Sequence, residues 1–372
     1  MASLNPVDGV GGPGGDATAL RRLNTARVLR VLHRAVALTL TELTRATELS
    51  RSAVEGAVEE LISAGVVAEA RPGSAGTRPL GRPARRFRFR ADAGHVLGLH
   101  IGPHKVYAVI SDLHGEVVGA KRVELSPDVP GPERLIRARR AVQQCLQAAG
   151  VARDELWAVA VGTPGLVDRD GRISLCSVLD GWTGLDLAGE LGAHFACPVR
   201  VENDANTAAL GERWRGAARE VDDVVSVLAD HKLGVGVVIN GRVHRGNHGA
   251  AGELGALPHS PWASANDFLV QSKHDLARAF TDLGAESEAD GFLDDLAQGI
   301  ATMALAVDPE LVVLGGFLTQ CGPVLLEKLS ARVPELCLTP PRLVLSELPD
   351  EAVALGALRV ALDEAEKRLF AI

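Results

Sequence analysis

Aromatic residues are scarce in this 372-residue chain, at 3%, with one tyrosine, and only six of its 39 basic side chains are lysines. A core must therefore be aliphatic, which the 47% hydrophobic content allows. Cysteine is also sparse. Cys145, Cys176, Cys197, Cys321 and Cys337 are odd in number and scattered, with no CxxC pair and no Cys/His cluster at metal-ligand spacing. That excludes a disulfide scaffold and leaves buried small hydrophobes. No apolar run reaches the roughly 18 residues of a spanning helix. The best candidate, residues 301–318, is broken by Asp308 and Glu310. The first fifteen residues have neither a basic nor an apolar signal region, so they read as a Gly/Pro-rich leader and a cytoplasmic location is expected. What remains is the composition of a soluble globular protein of two or three domains.

The net charge of −8 hides a segregation. Residues 21–90 hold 14 arginines against 6 glutamates, so the rest of the chain is strongly acidic. A basic head on an acidic body is the electrostatic footprint of a nucleic-acid binder.

The pattern of that head is a winged helix-turn-helix. Residues 23–32 place Ala26, Val28, Leu29, Val31 and Leu32 at helical spacing, followed by a break at 35–39. A second helix starts near Thr41 with Leu43 and Ala46 inward. Thr47-Glu48-Leu49 forms the turn, and Ser50 is placed to N-cap a third helix from Arg51 to about Ala64. A buried stripe of Val54, Val58, Leu61 and Ile62 turns Ser50, Arg51, Ser52, Glu55 and Gly56 outward, where a recognition helix meets base edges. Gly65-Val66-Val67 opens a wing. Its return, Arg85-Arg86-Phe87-Arg88-Phe89-Arg90, alternates apolar and cationic faces. Just before it, Gly81-Arg82-Pro83 holds one cation on an extended backbone suited to a narrow minor groove. Ser50, Arg51, Ser52, Glu55, Arg82, Arg85 and Arg86 are thus the candidate DNA-binding residues, with Glu55 able to accept from a cytosine amine.

From His95 onward strands and helices alternate: strands over 96–101, 105–111 and 116–121, a helix over 133–149, and a buried strand over 156–161. That strand runs into Gly162-Thr163-Pro164-Gly165-Leu166-Val167-Asp168. Glu202-Asn203-Asp204-Ala205-Asn206, Gly252-Glu253-Leu254-Gly255, Val312-Val313-Leu314-Gly315-Gly316 and Ala352-Val353-Ala354-Leu355-Gly356-Ala357 follow in order.

In order and spacing this series resembles the ROK family of bacterial sugar kinases and sugar-responsive repressors, over residues 20–365. The kinases lack the helix-turn-helix, so the head points to the repressor branch. The resemblance implies an α/β fold: an N-terminal winged helix-turn-helix, then a two-lobed actin-like domain of the ribonuclease H-like, sugar kinase type. The corresponding boundaries are a leader at 1–18, the head at 19–92, lobe I at 93–204 plus 350–372, and lobe II at 205–349. A ligand would lie between the lobes.

Three departures from the family pattern stand out. The Asp, Gly, Gly, Thr run that cradles nucleotide phosphates is His100-Ile101-Gly102-Pro103-His104, where a proline removes an amide donor and a histidine replaces the carboxylate. The second phosphate loop aligns with Asp230-His231-Lys232. The family's zinc loop has no cysteine in 257–272, and His259, Asp267 and His274 lack ligand spacing, so neither a metal nor a cofactor is expected; packing of Trp262, Phe268 and Leu269 would hold the loop instead.

The resemblance further assigns Asn203, Asp204 and Glu253 to an effector, while the family's His and second Glu become Ala256 and Val270, an apolar wall. A deoxy sugar, a polyol or a sugar with an apolar substituent would suit such a site. The alternative for Asn203-Asp204 is an N-cap opening the helix 205–214. The expectation is a transcription regulator, a homodimer or dimer of dimers on a palindromic double-stranded operator, with no catalytic residues. Its rivals are a sugar kinase and a ligand-independent regulator that answers to a protein partner.

Overall fold

The computed structural model describes residues 13–70, 84–272, 276 and 286–371. It separates into two compact units, one formed by residues up to Gly94 with Ala365 onward, the other by His95–Glu364.

The first unit packs three helices, α1 (Pro13–Arg34), α2 (Leu40–Thr47) and α3 (Arg51–Ser63), against a three-stranded antiparallel sheet. The sheet consists of β1 (Leu38–Thr39), β3 (Arg86–Phe89) and β2 (Val67–Ala70), in that order. α1 begins inside the expected leader, at Pro13, because proline's fixed φ and missing amide suit a first helical turn. A full capping box starts α2: Glu42 N donates to Thr39 Oγ1 while the Glu42 carboxylate accepts from the Thr39 amide. Glu48, at φ 55°, turns the chain toward α3. Two inward assignments differ from the sequence expectation. Ala46 is exposed and Thr47 is buried instead, its hydroxyl returned to the Leu43 carbonyl. Ile62 is partly exposed, and Ala57 completes the stripe with Val54, Val58 and Leu61. The break expected at 35–39 contains β1, whose Leu38 pairs with Phe87. Phe87 and Phe89 are buried while Arg86 and Arg88 face out, as the alternation required. Phe370, near the C-terminus, lies edge-on to His33 at 5.9 Å and beneath the Arg30 guanidinium at 5.1 Å.

The second unit contains one topology twice. β4 (His95–Ile101), β5 (Lys105–Asp112) and β6 (Val117–Glu124) form a meander, and β7 (Leu156–Thr163) and β10 (Val199–Asn203) add in parallel beside β4, giving the order β10-β7-β4-β5-β6. β11 (Val224–Ala229), β12 (Leu233–Ile239), β13 (Arg242–Val243), β14 (Leu311–Gly316) and β15 (Arg342–Leu345) repeat it as β13-β12-β11-β14-β15. In each sheet the first strand is flanked by an antiparallel and a parallel neighbour. This is the actin-like duplication. Helix α4 (Gly131–Ala149) covers the first sheet. Between β7 and β10 lie the hairpin β8 (Leu166–Val167) and β9 (Ile173–Leu175) and the short α5 (Leu187–Gly192). Helices α7 (Pro261–Gln271), α8 (Glu286–Val307) and α9 (Pro323–Leu336) bury their apolar faces on the second sheet.

The two halves are joined by α6 (Asp204–Arg215), and α10 (Ala352–Leu369) returns from β15. These helices cross at glycines. A Cβ on Gly211 would sit 2.2 Å from the Ala352 carbonyl oxygen, and one on Gly356 only 1.6 Å from that of Thr207. Both neighbours are backbone and cannot give way. No described helix is long and apolar enough to cross a membrane. Gly356→Ala should therefore destabilise the protein by about 3 kcal/mol or more, since overpacking against backbone exceeds the usual 1–3 kcal/mol. A urea titration checks this, and a midpoint equal to wild type would contradict the crossing.

Candidate functional site

In the first unit, the residues chosen from sequence divide into those facing out and those already engaged. Ser50 caps α3 by accepting from the Ala53 amide at 3.3 Å. Arg51 and Ser52 are exposed in the first turn. Glu55 accepts from Arg51 Nε at 2.9 Å, so its carboxylate is held by the arginine one turn earlier. Just before β3, Arg85 donates to Glu69 at 2.9 Å and lies over the Phe87 ring. Arg86 donates to the Ala37 carbonyl and to Glu42, both at 3.1 Å, which braces the wing strand against the start of α2. Arg82 lies outside the described residues. Arg88, which was not among the chosen residues, is exposed on the wing and makes no ion pair among the described residues.

In the second unit, a cleft of about 420 Å³ runs between the two sheets and brings together Asn203, Asp204 and Glu253, all named from sequence, with Asp230, Lys232 and Asn266. Asn203, at the end of β10, is the N-cap of α6. Its Oδ1 accepts from the Asn206 amide at 3.1 Å and its Nδ2 donates to the Gly165 carbonyl at 3.1 Å. The capping alternative for Asn203 is therefore real, and both ends of its amide are in use. Asp204 is buried, and one of its oxygens accepts from the Ala205 amide at 2.9 Å. Burial, followed by the nearby Asp230 and Glu253 charges, pushes the Asp204 carboxyl up to about 7 from its ordinary 3.8. Glu253 stays open to water through the cleft mouth, yet partial burial of its carboxyl raises that group too. Lys232 reaches across the cleft to Ser177 Oγ at 3.2 Å.

Beside this cleft, in a smaller pocket of about 120 Å³ that shares Leu228 and Asp230 with it, the run after β4 is closed on itself. The Gly102 amide donates to the Lys105 carbonyl at 2.9 Å, and Pro103 has no amide to offer. A Cβ on Gly102 would meet His100 Nε2 at 2.5 Å and the Asp230 carboxylate at 3.4 Å, so side chains fill the space before the turn. His100 is buried, and neither ring nitrogen has a hydrogen-bond partner among the described residues. Burial, then the Lys105, Arg122 and His104 charges, holds it well below the ordinary imidazole range, hence neutral. The Asp230 amide likewise closes a turn onto the Lys232 carbonyl. Behind the loop, the buried Arg134 guanidinium donates to the carbonyls of Gly102, Pro103, Ser126, Pro127 and Val129.

Residues 96–267 match the model of the ROK family. The chain carries a ROK family domain. Over 94% of its length it resembles the xylose repressor of Caldicellulosiruptor bescii, at 22% identity and covering 98% of that protein. Among solved structures, a ROK family transcriptional regulator homologous to the E. coli MLC protein superposes with a TM-score of 0.70 at 22% identity, over 95% of this chain and 99% of that one. The ROK hexokinase of Thermus thermophilus superposes with a TM-score of 0.60 at 27% identity, over 73% of this chain and 99% of its own.

Within the ROK domain the expected apolar wall is only half present. Ala256 lines the cleft, but Val270 lies exposed on α7, and Asn266, one turn earlier, lines the cleft and accepts from the Leu233 amide at 2.6 Å. Trp262 and Leu269 are buried in the core of the second half, and Phe268 stacks on Phe292 at 4.8 Å, so the three residues expected to hold the loop after Gly255 are packed. His259 and Asp267 join no metal-binding group among the described residues, and His274 lies outside them. Sequence reasoning passed over Glu202 and Arg245. Buried Glu202 accepts from the Asn203 amide and the Asn206 side chain, and pairs with Arg245 from the loop that follows β13. The signal was available: a charged residue at the end of a strand that must be buried needs a partner.

Because the folded chain keeps a proton on Asp204 that the unfolded chain has released, this group costs stability progressively as pH rises from about 4 to about 7. Asp204→Asn should remove that loss, gaining on wild type by roughly 2–4 kcal/mol across the window. Urea midpoints at both ends of the range measure it, and parallel pH profiles would contradict the buried carboxyl.

Proposed function

We propose that this protein is a DNA-binding transcription regulator, a repressor, whose head contacts an operator and whose ROK domain senses a small molecule without transferring phosphate. The observation that carries the reading is the winged helical unit itself. The full-length likenesses are to regulators, whereas the ROK hexokinase leaves about a quarter of this chain uncovered. In that unit α3 presents a capped, exposed N-terminal turn, and β3 beside it presents cations. Such a pairing suits a helix in the major groove and a wing on the backbone. A homodimer on a palindromic site follows from the symmetry of such binding, and a cytoplasmic location follows from the DNA target.

Loss of phosphoryl transfer is supported by the cradle positions. The Gly102 and Asp230 amides are spent on turns, Pro103 has none, and the Asp230 carboxylate stands where a phosphate's negative charge would have to come. The cleft retains groups for hydroxyls. Since Asn203 is committed at both ends, recognition rests on Asp204 and Glu253, with Ala256 as the apolar contact. That favours a ligand with fewer hydroxyls than glucose.

The test is retention of genomic DNA fragments by the full-length protein, followed by salt titration of a retained site. Neutralising roughly six phosphates gives a log–log slope of about −5. Arg88→Ala should reduce that slope by about one, and Arg82→Ala should cost about 1–3 kcal/mol of binding. No retention, or an affinity indifferent to salt, would remove the DNA-binding reading.

A further inference from the structure

Resting on the DNA-binding reading above, we propose that Arg51 reads a guanine in the major groove of the operator and that Glu55 is its positioning residue rather than a reader of bases. Arg51 is the first residue of α3, immediately after the Ser50 cap, and its side chain is 65% exposed. A recognition helix presents this turn to base edges. The Arg51 Nε is taken by Glu55 Oε1 at 2.9 Å. Both terminal nitrogens of the guanidinium then remain for the fork-shaped contact to guanine O6 and N7.

Helix stability does not account for this pair. A cation in the first turn opposes the helix dipole, and the favourable order for i,i+4 pairs puts the acid first, whereas here the arginine precedes the glutamate. Nor is Glu55 shared. Arg21, Arg27, Arg85 and Arg86 are each paired with a different glutamate, namely Glu60, Glu48, Glu69 and Glu42. A carboxylate on a face that meets phosphates weakens binding to every duplex by repulsion. Its presence is accounted for if it fixes one arginine in one orientation.

The experiment selects binding sites for the full-length protein from duplexes with a randomised core and sequences the bound pool. Wild type should select one fixed guanine per half-site. Arg51→Ala should lower that preference by about 10- to 100-fold, the discrimination of one bidentate contact. Glu55→Gln keeps an oxygen that accepts from Nε, so it should preserve the guanine while tightening binding to unrelated duplexes. Glu55→Ala should tighten non-specific binding in the same way but lose several-fold in guanine preference, and should have no further effect on that preference once Arg51 is alanine. If Arg51→Ala keeps the G·C preference and Glu55→Ala abolishes it, Glu55 reads cytosine directly and the proposal is overturned. A wild-type protein that selects no sequence overturns the DNA-binding reading itself, so the two failures are distinguishable.

Discussion

The buried guanidinium of Arg134 is the constraint on which the rest of the ROK domain's site depends. One side chain from α4 satisfies five backbone carbonyls, those of Gly102 and Pro103 in the turn after β4 and those of Ser126, Pro127 and Val129 ahead of α4. The five bonds come from its two terminal nitrogens, and hydrogen bonds to a charged group, worth about 1.5–3 kcal/mol each, offset the burial of the cation. The turn is thereby fixed with the Gly102 and Pro103 carbonyls drawn back into the protein and the Gly102 amide closed onto the Lys105 carbonyl. Forward of it stand the neutral His100 ring and the Asp230 carboxylate. The turn after β4 thus faces a carboxylate, that of Asp230 from the turn after β11.

The acidic floor of the neighbouring cleft follows from the same arrangement. Asp204, Asp230 and Glu253 come from three different segments, and burial together with their mutual repulsion keeps Asp204 protonated to near neutrality. Glu202 holds Asn203 and Asn206 from behind and is itself held by Arg245. The close crossing of α6 and α10 at Gly211 and Gly356 sets where α6 begins, and Asp204 is its first residue. Backbone packing thus places the carboxyl, and electrostatics decides its protonation.

Much of this was legible in the sequence. Alternation revealed β3 with its buried Phe87 and Phe89, and the Ser50 cap and α3 fell where the pattern put them, because cap chemistry and period are local properties. What escaped was whatever depends on a distant partner. Ile62 reads as core by spacing but sits at the edge of the stripe, with Ala57 inside, since the partner surface of α1 decides the width of the face. Arg86 reads as a DNA contact by charge, yet it braces Glu42 and Ala37, which lie more than forty residues away in sequence. Val270 was assigned to the cleft by alignment with the family, but the orientation of α7 gives that place to Asn266. Arg134 carried no signal at all, because an arginine on an amphipathic helix ordinarily points to solvent.

The central claim is that the phosphate-cradling positions are closed by the protein itself, the Gly102 and Asp230 amides by backbone turns and the space before them by the His100 and Asp230 side chains. Isothermal titration of the full-length protein with Mg·ATP tests it most directly. The account predicts no saturable heat at millimolar nucleotide, both for wild type and for Asp230→Gly, because the amides stay committed after the carboxylate is removed. Saturable micromolar binding of Mg·ATP by the wild-type protein would contradict it.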